Sequence, residues 1–116
     1  MIVKSVRGAF SIEKDDIKEI EVKTNEFLNI FFKKNPVKIK NIIQVIISST
    51  NDIKSSYPCK FFRKFGINKP LLCVQEQNVM DSEKLIIRVL FLIRTFKKLN
   101  PVYLNRAKKL RSDIFQ

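Results

Sequence analysis

Hydrophobic residues at helical spacing in the first third of the chain predict one long helix, preceded by a short strand. The strand is predicted over residues 2–7 and ends at Gly8. The acidic pair Asp15-Asp16 favours a helix N-terminus, and the helix is predicted to stop before Asn35-Pro36. Its apolar face is predicted to contain Ile17, Ile20, Thr24, Phe27, Leu28 and Phe31.

The rest of the chain predicts three strands and a short helix. Residues 42–49 are nearly all apolar, which is typical of a strand covered on both faces. No repeat or linker divides the sequence, and a length of 116 residues suits a single domain over residues 1–116. The predicted elements are a strand over 42–49, a turn at Thr50-Asn51-Asp52, a helix from Pro58 to Gly66, strands over 71–75 and 85–95, and a segment over 102–110 that allows helix or strand.

Arg88 lies in the middle of the most apolar of these strands. Leu85, Ile87, Val89, Phe91 and Ile93 would share the core face, which puts Arg88 at the centre of the other face. A buried guanidinium costs several kcal/mol unless it is paired. It would therefore hold an anion in a pocket or at an interface, or form a buried salt bridge with Glu76.

Glu76 is the only acidic residue between Ile53 and Met80. The same stretch carries five cationic residues: Lys54, Lys60, Arg63, Lys64 and Lys69. A carboxylate among cations at a strand end could accept a hydrogen bond from a ligand hydroxyl, or it could only balance charge.

The formal charge of +12 allows a polyanionic partner. A basic nucleic-acid-binding module is one interpretation, with an exposed aromatic such as Phe10 stacking on bases. The basic residues are scattered as separate pairs, however, which favours a solvated surface for most of them.

Several kinds of chemistry are excluded by composition. The chain has no histidine, two cysteines (Cys59 and Cys73) and two glycines, so it lacks a catalytic triad, a zinc-ligand set and a glycine-rich phosphate loop. We expect no metal and no cofactor, and free thiols in a reducing compartment.

Residues 1–8 lack a signal-peptide pattern, and the longest apolar run is too short to span a bilayer. The predicted location is the cytoplasm or a plastid stroma.

Short segments with a fixed order and spacing extend along nearly the whole chain. They are Val6-Arg7-Gly8-Ala9, Glu13-Lys14-Asp15, Ser49-Thr50-Asn51-Asp52-Ile53, Tyr57-Pro58-Cys59-Lys60-Phe61-Phe62-Arg63, Cys73-Val74-Gln75-Glu76, Ile87-Arg88-Val89, Val102-Tyr103-Leu104 and Leu110-Arg111-Ser112-Asp113. Together they resemble the small, monofunctional chorismate mutases of the AroH type.

The resemblance implies an α+β protomer, with a mixed β-sheet and helices packed on its outer face, that assembles as a trimeric pseudo-barrel. It implies an isomerase of aromatic amino-acid biosynthesis that converts chorismate to prephenate by an intramolecular Claisen rearrangement. The implied partners are chorismate and two further copies of the chain, with active sites at the subunit interfaces, and neither nucleic acid nor membrane. A non-catalytic trimeric homologue remains an alternative, since a fold alone does not prove function.

The resemblance also assigns site residues. Arg88 corresponds to the cation at the ether oxygen and Glu76 to the carboxylate that takes the substrate hydroxyl. The implied substrate-binding residues are Arg7 and Tyr103 at a carboxylate and the ring, Cys73 beside Glu76, Lys60 and Arg63 from the neighbouring subunit, Tyr57 and Cys59 at the pocket wall, and Leu110 and Arg111 over its mouth.

Four departures from the family pattern stand out. Tyr57 replaces the usual phenylalanine, and Cys59 stands where a smaller residue is usual, which predicts a narrower pocket. Residues 81–83 replace a more flexible apolar turn, and Lys108-Lys109 replaces part of an apolar strand, so the last element and the closing role of Arg111 are left open.

Overall fold

The computed structural model describes residues 2–111, in which a five-stranded mixed sheet carries its two α-helices on one face. The sheet order is β3-β2-β4-β1-β5; β1 and β2 are antiparallel to β4, whereas β2–β3 and β1–β5 are parallel. The predicted α+β class is therefore confirmed. The elements are β1 (Ile2–Ser11), α1 (Ile17–Lys34), β2 (Ile42–Ser49), α2 (Cys59–Phe65), β3 (Leu71–Gln75), β4 (Ile86–Thr95), β5 (Val102–Tyr103) and a final 3-10 helix (Asn105–Arg111).

Helix α1 begins and ends where its capping residues predict. The Asp16 side chain accepts a hydrogen bond from the Glu19 backbone N–H at 3.1 Å, which satisfies one of the free donors of the first turn. At the other end, the Asn35 N–H and side chain both donate to the Phe31 carbonyl. The predicted apolar face is buried except at its first position, where Ile17 is 51% exposed because it precedes the contact with the sheet.

Stacked aromatic rings join α1 to the sheet. Phe10 and Phe27 are 4.9 Å apart between ring centroids, and Phe31 and Phe91 are 4.1 Å apart. All four rings are fully buried. The expectation of an exposed Phe10 was therefore wrong, because β1 continues past Gly8 and turns this ring into the core. We refer to this side of the sheet as the core face.

The opposite side of the sheet carries neither α-helix, and within residues 2–111 the final 3-10 helix covers part of it by packing Ala107 against Ala9 and Ile86. We refer to this side as the open face. Strand β2 buries Ile42, Val45 and Ile47 on the core face, whereas Ile46 and Ser48 are only partly buried. The expectation that β2 is covered on both faces is therefore not met within one protomer. Apolar side chains remain exposed on the open face of the neighbouring strands, including Leu72 (57%), Val74 (40%) and Leu90 (38%).

Gly8 lies inside β1 and does not terminate it. A Cβ atom at this position would lie 2.7 Å from Phe27 Cζ and 2.8 Å from the Val102 carbonyl oxygen. The glycine therefore permits the close approach of α1 and β5 to β1, and the strand continues to Ser11. The predicted end at Gly8 was wrong because the sequence does not show which element packs against a glycine.

Gly8→Ala is expected to lower the free energy of unfolding by about 1–3 kcal/mol, because an added methyl overpacks a site bounded partly by backbone. Chemical denaturation monitored by circular dichroism measures the change. Ser5→Ala, on an exposed part of the same strand, is the matched control and should leave stability nearly unchanged. Equal midpoints for Gly8→Ala and the parent would contradict this explanation.

The final segment contains both structures that its sequence allowed. Residues 102 and 103 pair with β1, and a 3-10 helix follows. Arg106 fixes this helix, since its guanidinium donates to the carbonyls of Ile12 at 2.7 Å and Lys84 at 3.0 Å. Ser112 and Asp113, which belong to the last segment of the family resemblance, lie outside the described residues. Across residues 2–111, neither helix has the length and apolarity required to cross a bilayer.

Candidate active site

Three adjacent strands bring Arg7, Arg88 and Tyr103 to the open face. Arg88 pairs with Ala9 on β1, and Ala9 also pairs with Tyr103 on β5. Arg7 is two residues from Ala9 and therefore points to the same side of the sheet. These side chains line a cleft of about 140 Å³, which we call the arginine cleft; its walls are Arg7, Gly8, Ile46, Ser48, Arg88, Val89, Leu90 and Tyr103.

Arg88 forms an ion pair with Glu76, with 2.9 Å between Nε and Oε1. The pair is only partly shielded, because the Arg88 side chain is 41% exposed and the Glu76 side chain 21%. Arg88 thus forms the salt bridge with Glu76 that the sequence offered as one alternative, and it also lines the arginine cleft. The other Glu76 oxygen, Oε2, is buried and accepts no hydrogen bond from the described residues. A ligand hydroxyl would satisfy it.

The C-terminal residues of the described chain pack beside this cleft. The Arg111 guanidinium carbon lies 5.7 Å from the centre of the Tyr103 ring, a cation–π distance. Leu110 packs against the small buried cluster of Ala9, Ile86, Tyr103 and Ala107. Both residues are thus placed next to Tyr103, a wall residue of the arginine cleft.

A second cleft lies at the β3 edge, between that strand and the loop that precedes α2. It measures about 650 Å³, and we call it the lysine cleft. Asp15 shapes it by accepting hydrogen bonds from the backbone N–H groups of Lys54 and Ser55. Lys60 and Tyr57 line the lysine cleft, and the Tyr57 side chain is 77% exposed. None of the described wall residues of this cleft is acidic. Its walls are Ser49, Thr50, Ile53, Lys54, Ser55, Ser56, Tyr57, Pro58, Lys60, Cys73, Val74 and Gln75.

Two cysteines meet at one wall of the lysine cleft. The backbone N–H of Cys59, the first residue of α2, donates to Cys73 Sγ at 3.3 Å. A hydrogen bond from the Cys59 thiol, the backbone N–H and the charge of Arg63 lower the pKa of Cys73 to about 7. The same hydrogen bond and burial raise the pKa of Cys59. Cys73 therefore carries more thiolate at neutral pH than an ordinary cysteine.

The candidate residues thus form two groups that do not meet within the described protomer. Cys73 pairs with the fully buried Ile47 and packs against the core. Arg88 pairs with the next residue of β2, Ser48, and successive residues of a strand point to opposite faces. The two clefts share no wall residue. Within one protomer, Cys73 therefore lies on the core face, whereas Glu76 pairs with Arg88 of the open face.

Ser48 is a wall residue that the sequence interpretation missed. It faces Arg88 across the β2–β4 register and lines the arginine cleft. In the sequence, the only indication that Ser48 belongs to a site is its hydroxyl group within an apolar strand. That indication is weak because serine often occurs at strand ends.

Comparison with known proteins adds a sequence family to this geometry. The family model for chorismate mutase type I matches residues 3–114. The chain belongs to the type I chorismate mutase family. This family assignment makes it an isomerase with chorismate mutase activity.

Two curated relatives match over almost the full chain. Chorismate mutase AroH of Bacillus subtilis is 30% identical over 119 residues, which cover 98% of this chain and 94% of the relative. Chorismate mutase AroH of Thermus thermophilus is 32% identical over 118 residues and covers 97% of both chains. A solved chorismate mutase from Clostridium thermocellum superimposes with a TM-score of 0.87 at 30% identity, over 91% of this chain and 98% of that one. The AroH-type resemblance is thereby confirmed.

Proposed function

We propose that this chorismate mutase converts chorismate to prephenate in a site shared by two neighbouring subunits of a homotrimer. One observation carries the proposal: the cationic groups Arg7 and Arg88 line one cleft of the protomer, whereas Lys60 lines another. A second subunit that presents its lysine cleft to the arginine cleft would complete the site. The product would then serve phenylalanine and tyrosine synthesis.

The open face supports such an assembly. The exposed Leu90 of β4 and Leu72 of β3 lie on either side of the half-buried Ile46 of β2, and Val74 follows on β3. An apolar surface of this kind on a small domain gains stability when it is covered. Three copies that pack their open faces together would bury it and would form the pseudo-barrel that the family resemblance implies.

Arg88 is the proposed catalytic cation. In the transition state of the Claisen rearrangement, the breaking C–O bond leaves negative charge on the ether oxygen. A cation already fixed at that position binds the transition state more strongly than the ground state. Glu76 engages Nε of Arg88, which leaves the two terminal nitrogens for the ether oxygen and a carboxylate.

Substrate folding is the second contribution to rate. Chorismate is a flexible dianion, and its two reacting ends must be brought together before the bond forms. Arg7 on one subunit and Lys60 and Arg63 on the other would hold its carboxylates, and Glu76 Oε2 would accept its hydroxyl hydrogen bond. Restricting the substrate to this shape removes part of the entropic barrier. Tyr57 and Cys59 would form the pocket wall, while Tyr103, Leu110 and Arg111 would contact and cover the ring.

The high positive charge has a simpler use here than nucleic-acid binding. A charge of +12 raises the local concentration of a dianionic substrate and steers it to the clefts. Phe10 is fully buried and therefore cannot stack on bases.

The two curated relatives are bacterial proteins, so we propose that this protein is located in a bacterial cytoplasm. Neither relative supports the alternative location in a plastid.

Mixing two inactive variants tests the shared site. Arg88→Ala disables the arginine cleft and Lys60→Ala the lysine cleft. In a cyclic trimer, every mixed assembly contains one site built from two intact halves, so mixed trimers should recover about a third of the parental turnover per trimer. Dual affinity tags isolate the mixed trimers, and prephenate formation measures their turnover.

A mixture of Arg88→Ala with Arg7→Ala is the matched control. Both changes lie in the same half of the site, so no mixed trimer contains an intact site and turnover should stay at the level of the single variants. Restored turnover in the control mixture would argue against a site divided in this way. Unrestored turnover in the mixture of Arg88→Ala and Lys60→Ala would argue against it as well.

A further inference from the structure

Cys59 and Cys73 are neighbours beside the lysine cleft. Cys59 is 7% exposed at the start of α2, and Cys73 is half-buried in the middle of β3. The Cys59 backbone N–H donates a hydrogen bond to Cys73 Sγ at 3.3 Å. Cys59 Sγ is only three bonds from this backbone nitrogen, so both sulfurs lie in the same small region, where a local adjustment could form an S–S bond of about 2 Å.

The environment gives the two sulfurs different reactivities. Cys73 lines the cleft, and the neighbouring Cys59 thiol, the N–H donor and the charge of Arg63 lower its pKa, which favours the thiolate. A thiol with a pKa near the ambient pH is the most effective at attacking disulfides. Cys59 is buried and its pKa is raised, which protects it from outside reagents but leaves it within reach of Cys73.

We propose that Cys59 and Cys73 are a reversible redox pair that low-molecular-weight disulfides oxidise to an intramolecular disulfide. Cys73 thiolate attacks one sulfur of the external disulfide, whose S–S bond breaks and releases one small thiol after protonation. Cys59 then loses its proton to water and attacks Cys73 Sγ, which releases the second small thiol. The two protein thiols are oxidised, and the external disulfide is reduced to two thiols.

The disulfide would act on the substrate site. It fixes the first turn of α2, which carries Lys60 and Arg63, to the strand that lines the cleft. Tyr57 and Pro58 precede this turn directly, so the cleft wall would move with it. This effect on turnover rests on the proposed function, whereas formation of the bond does not. In a reducing compartment such a pair serves as a switch and not as a permanent cross-link.

Equilibration of the intact protein with oxidised and reduced glutathione at several ratios is the test. Free thiols are trapped with iodoacetamide and counted by mass spectrometry, and prephenate formation is measured on the same samples. The oxidised parent should lose both free thiols without a glutathione adduct, and its turnover should fall about tenfold or more, because small displacements of substrate contacts are costly. Dithiothreitol should restore both the two free thiols and the parental turnover.

Two variants separate this pathway from simple thiol modification. Cys59→Ala should stop at a glutathione adduct on Cys73, because no second thiol resolves it. Cys73→Ser should keep the buried Cys59 unmodified. Each variant is compared only with its own reduced form.

The outcomes are distinguishable. A parent that keeps two free thiols at every ratio, or carries adducts on both cysteines, would overturn the redox pair even if its reduced form rearranges chorismate. A parent that forms the disulfide but never turns over chorismate would leave the pair intact and overturn the proposed function. Disulfide formation with full retention of turnover would reject the switch.

Discussion

Arg88→Ala is expected to lower kcat by about 10²–10³-fold or more, while the trimer and the fold persist. The side chain is 41% exposed and lies on the open face, so its removal leaves no cavity in the aromatic core. What is lost is a charged donor that would meet the ether oxygen as it becomes anionic. Prephenate formation under substrate saturation measures the change, and sedimentation confirms the assembly.

Arg88→Lys separates charge from geometry. It keeps the positive charge but has no planar fork, so it cannot contact the ether oxygen and a carboxylate together. We therefore expect it to be badly impaired as well. Parental kinetics for Arg88→Lys would show that charge alone is sufficient, and near-normal turnover of Arg88→Ala would reject the catalytic role.

Glu76→Gln serves as the comparison for the ion pair. An amide can still meet a substrate hydroxyl, so this variant should lose less turnover than Arg88→Ala. If Arg88 served only as the structural partner of Glu76, both variants would instead lower stability and turnover to a similar degree.

Leu72→Glu is expected to abolish trimer formation at micromolar concentrations and nearly all turnover with it. Leu72 is 57% exposed in the protomer and pairs with Ile46 on the open face. In the proposed trimer, this position is covered in every subunit, so the substitution would bury an unpaired carboxylate at each interface, at a cost of several kcal/mol per charge. Light scattering gives the mass, and prephenate formation gives the activity.

Val22→Glu is the matched control, since Val22 is an apolar side chain of similar exposure (45%) in α1. Helix α1 packs on the core face, away from the proposed interface, so this variant should remain trimeric and active. A Leu72→Glu protein that sediments like the parent would show that the open face is not the interface.

The strands with strong boundary signals could be predicted from sequence. The bounds of β2 and β3 agree with their patterns, and α1 begins at its acidic cap. Gly8 was misinterpreted because a glycine ends a strand in one context and admits a neighbouring helix in another, and only the packing distinguishes them. Apolar residues in β2 gave the correct strand but did not show what covers each face.

The site was predictable where a residue conflicts with its surroundings. Arg88 in an apolar strand and Glu76 among cations each carry a charge that requires a partner, and the structure pairs them. Ser48 has no such conflict and was missed. The separation of Cys73 from Arg88 also required the structure, because it depends on the register between β2 and its two neighbours.

The proposed division of each site between two subunits would make catalysis depend on how much protein is present. An isolated protomer would then have two incomplete binding surfaces and no complete site. In the proposed trimer, dilution below the association range would therefore reduce the turnover per molecule roughly with the square of the total concentration. A cell that made little of this protein would have disproportionately little of its activity.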